Sequence, residues 1–256
     1  MKFEKQIQAV QKYPVMEDWP DPQRWHVKVD EKLPVFVDYS VNVKRIYNQG
    51  AEGSCVGFGY KMAIQVMRFF DDHAWPEFSA RGIYDMAKVI DNDELGEEDY
   101  LKQSGTTLAA ASRVVKKYAV VPDGDLGYVP NEEVLLTEET WVQLMSLGRP
   151  NCISEYRSIM VKGSLIDSLK YAVWKGFAVP IGWWISDGWL TVGTDGIVTE
   201  QGGNLGGHCV TAVGYSDATQ RFKIVNSWGP GWGQKGFGYL PYSAVKPRLI
   251  SGYMLT

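Results

Sequence analysis

The sequence predicts an α+β protein with helices gathered in its first part, strands in its second, and a cleft between the two subregions. Three observations carry that reading. Val56, Tyr60, Ala63, Met67 and Phe70 recur at three- and four-residue steps, the apolar face of one helix. After Gly176 the texture changes to short apolar runs separated by Gly- and Asp-rich turns. The 256 residues, 45% hydrophobic and 13% aromatic, suffice for one large domain or two small lobes with a substantial core.

The elements follow in order. Residues 1–32 are polar and broken by Pro14, Pro20 and Pro22, and read as an N-terminal extension too short to be an independent domain. The main domain is 33–256. Val35, Val37, Val41 and Val43 alternate with other residues, as in a half-buried strand. A small-residue loop, Asn48-Gln49-Gly50-Ala51-Glu52-Gly53, then leads into the first helix, with Ser54 as its N-cap. Further helices are expected over Ser79 to Ile90, over Thr107 to Tyr118 after Gly105-Thr106, and over Leu165 to Lys175. Residues 122–163 read as loop with short helix. Strands are expected at Phe177–Trp184, Gly196–Thr199, Cys209–Tyr215, Arg221–Val225 and Phe237–Leu240. No internal repeat or low-complexity segment interrupts the series.

Composition narrows the function classes. A net charge of −4 does not fit a nucleic-acid or polyanion binder, and the apolar content does not fit intrinsic disorder. No stretch reaches the roughly 18 uninterrupted apolar residues of a membrane span. The N-terminus lacks the apolar core of a signal peptide, so a cytoplasmic location is expected; a protein released by lysis or carried in a particle would look the same. Cys55, Cys152 and Cys209 are widely spaced, unlike a disulfide scaffold. There is no C-x-x-C pair and no histidine pair at ligand spacing, so neither zinc nor any other cofactor is expected.

Three positions could carry chemistry. Cys55 sits at the predicted start of a helix, where unpaired N–H groups and the positive dipole end favour a thiolate. A buried structural thiol is the commoner fate of a lone cysteine, and it is the reading kept for Cys152 and Cys209. His208 follows a glycine-rich run and opens a predicted strand, where it could serve as a base near neutral pH. His26 and His73 read as exposed loop histidines. Asn226 follows the strand ending at Val225, in a turn with Trp228 and Trp232 among glycines.

Together these stretches resemble the papain-like cysteine peptidases. Asn48 through Cys55 is similar to that family's active-site loop, Gly207-His208-Cys209-Val210 through Val213-Gly214-Tyr215 to its histidine strand, and Val225-Asn226-Ser227-Trp228-Gly229 to its asparagine motif. Gly231-Trp232-Gly233 and Gly236-Phe237 continue the match. Leu33-Pro34 with Val37-Asp38-Tyr39 resembles the mature start of such enzymes, and Gly196-Ile197-Val198 the segment before the histidine. Motif order agrees from about residue 33 to about 245, nearly the whole chain.

The resemblance implies a two-lobed fold, a helical lobe near 45–120 bearing the nucleophile and an antiparallel β-rich lobe near 160–250 bearing histidine and asparagine. It implies hydrolysis of peptide bonds in a peptide or protein substrate through an acyl-thioester. Cys55 would be the nucleophile, His208 the base that later protonates the leaving amine, and Asn226 the residue that orients the imidazole under cover of Trp228. The side-chain N–H of Gln49 and the backbone N–H of Cys55 would stabilise the oxyanion. The resting pair would be a thiolate–imidazolium. Gly105 would pair with substrate backbone and Cys209 would form a wall of the main specificity pocket.

Departures from the family pattern stand beside the match. Glu52 and Val56 occupy positions where the family signature has a cysteine and an aromatic residue, so the usual first disulfide is missing. His208 lies 153 residues after Cys55 and Asn226 171 after it. The family spacing is about 130–150, which places one or more insertions within 122–163. Only 32 residues precede Leu33, too few for the inhibitory pro-segment of secreted members. Rival readings are a nucleophile elbow at Gly53-Ser54-Cys55-Val56-Gly57 with Asp195 and His208, a papain-like fold kept as a binding module, and a transpeptidase or ligase.

Overall fold

A computed structural model of the chain describes Val15, Asp18 and residues 26–95, 105–132, 134, 136–160 and 163–256. Most of the predicted N-terminal extension therefore lies outside the described residues.

Chain order separates the two kinds of element. The helices are α1 (Cys55–Asp72), α2 (Ala80–Leu95), α3 (Leu108–Arg113), α4 (Glu138–Gly148), α5 (Leu165–Gly176) and a single turn, α6 (Val245–Arg248). A π-type turn, Val114–Tyr118, extends α3 to the end predicted from sequence. Thr107 caps α3 by accepting from the Ala110 N–H, and Ser164 caps α5 by accepting from that of Asp167. The α5 helix stops where Phe177 takes a left-handed φ of 63°.

The strands are β1 (Phe36–Asp38), β2 (Tyr156–Ser158), β3 (Val179–Ser186), β4 (Asn204–Ser216), β5 (Arg221–Val225), β6 (Phe237–Pro241) and β7 (Leu249–Leu255). They form one sheet in the order β2-β7-β3-β4-β5-β6, with β1 added on β4, and every pairing is antiparallel. The sheet is a meander through β3 to β6, closed by β7 returning beside β3.

Several expectations are corrected. The strand expected from Val35 to Val43 shrinks to three residues: Val41 is 74% exposed in a 3-10 turn over Ser40–Asn42, while Val37 is buried and Val43 packs against the helical core from outside any strand. Gly196–Thr199 is not a strand, since only Ile197 makes an isolated bridge, to Tyr239. β7 has no counterpart in the sequence reading. Six of its seven residues are buried, so it lacks the alternation that marks a half-exposed strand. His208 does not open β4; it is the fifth residue of a longer strand, opposite Trp183 of β3.

Two apolar cores result. One joins α1, α2 and α3, with Tyr60, Ile64, Ile83 and Val114 fully enclosed. The other fills the β-rich lobe, where Leu169, Ala172 and Val173 of α5 share one apolar cluster with Ile181, Trp183 and Ile224 of the sheet. The lobes meet where α1 crosses β4. A Cβ at Gly59 would lie only 2.6 Å from Sγ of Cys209, so glycine is what lets the helix approach the strand. The Thr211 hydroxyl then donates to the Gly59 carbonyl at 2.9 Å. That close seam sets the first turn of α1 beside the middle of β4.

Candidate active site

Cys55 is the first residue of α1 and is 2% exposed. Ser54 holds the N-cap position but does not cap: its hydroxyl pairs with the Tyr128 hydroxyl at 2.7 Å. The N–H groups of Cys55 and Val56 instead face the Cys55 sulfur, joined by that of Cys209. Cys209 directly follows His208, so the sulfur lies against the backbone of the histidine strand. Burial outweighs these donors and pushes the thiol up to about 11.

His208 is completely buried. Its Nε2 lies 2.8 Å from Oδ1 of Asn226, and the same oxygen accepts from the Ser227 N–H at 2.8 Å. The second contact fixes which end of the amide faces the ring. Nε2 therefore carries the proton, and Nδ1 is left with a lone pair and no hydrogen-bond partner among the described residues. Three tryptophans wall the pair. Trp228 lies 4.8 Å from the imidazole between ring centroids, and Trp189 meets its edge at 6.0 Å. Trp232 stacks on Trp189 at 5.7 Å and donates its N–H to the Trp189 carbonyl. This casing holds the imidazole down at about 4, burial being the main cause and the Asn226 contact opposing it.

Burial disfavours the charged form of each group taken singly, a cost that the mutual attraction of a thiolate and an imidazolium opposes.

Gln49 is buried in the loop before α1. Its Nε2 donates to the Glu52 carbonyl at 2.8 Å, and its Oε1 accepts from the Ser227 hydroxyl at 2.6 Å. Its backbone N–H also bonds the Ser227 carbonyl at 2.9 Å. Ser227 thereby ties the asparagine turn to the nucleophile loop, a link the sequence reading passed over because a serine in a turn carries no distinguishing pattern.

Gly105 has a φ of 85° and donates its N–H to the Tyr84 hydroxyl at 3.1 Å, so that donor is committed inside the helical lobe. The Cys209 sulfur points toward Gly59 in the seam with α1, and Cys209 also lines a small cavity with Tyr47, Phe58 and Met62. Cys152 is half-buried near the α4 terminus, apart from the site, and His26 and His73 are exposed. Asp195 lies in an exposed turn, where it accepts from the Ile197 N–H. The elbow reading needs a parallel sheet below the nucleophile, and this sheet is antiparallel.

The described part of the N-terminal extension touches the site. Val15 is 1% exposed and donates its N–H to the carbonyl of Gly207, the residue before His208, at 3.1 Å. A Cβ at Gly207 would come within 2.7 Å of the Val15 carbonyl oxygen, so the approach requires glycine. Asp18 accepts from the Ala109 N–H at 3.1 Å and from the Tyr253 hydroxyl at 2.6 Å, bridging both lobes. Val15 and Asp18 are thus fastened at the lobe junction.

Among the described residues, no group of three or more His, Cys, Asp or Glu side chains is gathered for a metal, and no helix is long and apolar enough to cross a membrane.

Comparison with known proteins agrees with this fold. Residues 33–246 match the family model described as papain family cysteine protease. An uncharacterized peptidase C1-like protein of Acanthamoeba polyphaga mimivirus is 26% identical over 216 residues, covering 77% of this chain and 64% of that one. The cysteine protease Amb a 11.0101 of Ambrosia artemisiifolia is 27% identical over 223 residues, covering 85% and 53%. The chain thus spans between half and two-thirds of the length of these relatives. Among solved structures, xylellain, a cysteine protease from Xylella fastidiosa, superposes with a TM-score of 0.77 at 22% identity, covering 95% of each chain. A Carica candamarcensis cysteine protease solved with E-64 gives 0.64 at 18% identity, covering 88% and 99%.

Proposed function

Because the chain belongs to the papain family of cysteine proteases, we propose that it hydrolyses peptide bonds with Cys55 as nucleophile, His208 as acid–base, Asn226 as the residue orienting the imidazole and Gln49 as oxyanion donor. The observation that carries this reading is the His208–Asn226 contact, which leaves Nδ1 as a lone-pair base in the strand that packs on the Cys55 sulfur.

The reaction follows from those atoms. Nδ1 takes the thiol proton as sulfur attacks the scissile carbonyl carbon, and the carbonyl oxygen becomes an oxyanion. One N–H of the Gln49 amide is held by the Glu52 carbonyl, which leaves the second for the oxyanion beside the Cys55 N–H. The imidazolium gives its proton to the departing amine, and an acyl-thioester remains. Water then adds with His208 as base, the C–S bond breaks, and the thiol is restored.

Turnover of a positional-scanning peptide library tests this. Wild-type protein cleaves responsive peptides and Cys55→Ala does not. Equal cleavage by Cys55→Ala refutes the assignment of the nucleophile.

A further inference from the structure

The loop that bears Gln49 and Cys55 is clamped from below by a buried charge network. Glu52 stands three residues before the nucleophile, where the family signature has a cysteine. Its two carboxylate oxygens each accept a 2.6 Å hydrogen bond from Arg81 of α2, one from Nη1 and one from Nη2. The outer oxygen also accepts from the Asn131 N–H at 3.0 Å and lies 2.9 Å from the Tyr128 hydroxyl. Both members of the ion pair are buried. Arg81 further donates to Asp85 at 3.2 Å and to the Val129 carbonyl at 2.6 Å, and its guanidinium lies 4.9 Å from the Tyr128 ring centroid.

Such a pair is a poor device for stability alone, because desolvating two charges offsets most of their attraction. Its planar fork does fix direction, which a covalent bridge would otherwise do. The same residue's backbone carbonyl receives the Gln49 side-chain amide. The Tyr128 hydroxyl, at 2.7 Å from the Gln49 carbonyl and 2.7 Å from the Ser54 hydroxyl, touches the loop at two more points. Carboxylate, carbonyl and hydroxyl thus fix the loop at both ends of the Gln49–Cys55 span.

We propose that Arg81 and Tyr128 are positioning residues of this site: Arg81 acting through Glu52, and Tyr128 acting on Gln49, Glu52 and Ser54 directly, they hold the 49–55 loop so that the Gln49 amide and the Cys55 N–H converge on the oxyanion. The inference rests on the peptidase reading. It assigns a catalytic consequence to an ion pair standing where the family's disulfide is missing.

Two mild variants test it, Tyr128→Phe and Arg81→Lys, the second keeping the charge and losing the fork. Both are expected to lower kcat for a cleaved peptide about tenfold while KM stays within about twofold, since a misaligned donor acts on the transition state. Alkylation of Cys55 by iodoacetamide needs no oxyanion donor and is expected to stay within about twofold of wild type. Wild-type kcat in both folded variants overturns the proposal. So does an equal fall in kcat and alkylation rate, which marks a general loss of structure. Hydrogen exchange gives a readout independent of turnover. Amides of 49–55 should exchange at least about tenfold faster in both variants, with the β-rich lobe unchanged, and unchanged exchange in the loop overturns the clamp. Failure of the wild-type chain itself to cleave any peptide, with loop exchange accelerated as expected, sinks the peptidase reading and leaves the clamp standing.

Discussion

Nε2 of His208 and Oδ1 of Asn226 lie 2.8 Å apart, and the Ser227 N–H shares the same oxygen. The amide therefore fixes both the tilt of the imidazole and its tautomer, and the buried Nδ1 is the lone pair left to work.

Asn226→Ala should release that control. The ring loses its orienting contact and the tautomer with the proton on Nδ1 becomes accessible, so kcat for a peptide substrate is expected to fall about 100-fold. KM should change little. Steady-state kinetics on the folded variant checks this, and an unchanged kcat removes Asn226 from the site.

Acid should destabilise the fold through His208. Burial depresses its folded pKa to about 4, against an ordinary 6.5. Between those values the unfolded chain binds the proton and the folded chain does not. The stability from this group is therefore complete above pH 6.5 and is lost as pH falls toward 4. The loss amounts to about 3 kcal/mol. Urea unfolding at pH 7 and pH 4.5 measures it, and His208→Gln should flatten that dependence. An equal acid loss in the variant would place its origin elsewhere.

Val15 should slow access to the site. It is buried over Gly207, and Val15→Asp forces a carboxylate into that contact. Alkylation of Cys55 by iodoacetamide is expected to speed up about tenfold, with the melting temperature shifted by only a few degrees. Alkylation at the wild-type rate would show that this strap does not govern access.

The seam between lobes should be intolerant of one added methyl. Gly59→Ala places a Cβ against Sγ of Cys209 and is expected to cost about 1–3 kcal/mol. Cys209→Ala removes the sulfur, so the double variant should recover much of that loss. Additive costs in thermal unfolding would contradict this close contact.

What was legible in the sequence was local. The apolar face from Val56 to Phe70 marks α1, which runs Cys55–Asp72, and β5 occupies the predicted Arg221–Val225. Gln49, Cys55, His208 and Asn226 could be picked out because each stands in a short glycine-framed motif. Less legible were features whose sense depends on distant partners. Val41 and Val43 alternate like strand residues, yet no neighbouring strand receives them. Ser54 has a capping side chain, yet Tyr128 captures it. Nothing near Glu52 in the chain announces Arg81, 29 residues away, as its partner.

The sequence by itself therefore determined the place of most helices and several strands, the family, and which few side chains could do chemistry, because periodicity and motifs are written in neighbouring residues. Tertiary structure decided the condition of those side chains. The burial that weighs against charge on Cys55 and His208 comes from segments far apart in the chain, among them Trp189 and Trp228 around the imidazole and the α1–β4 seam beside the sulfur.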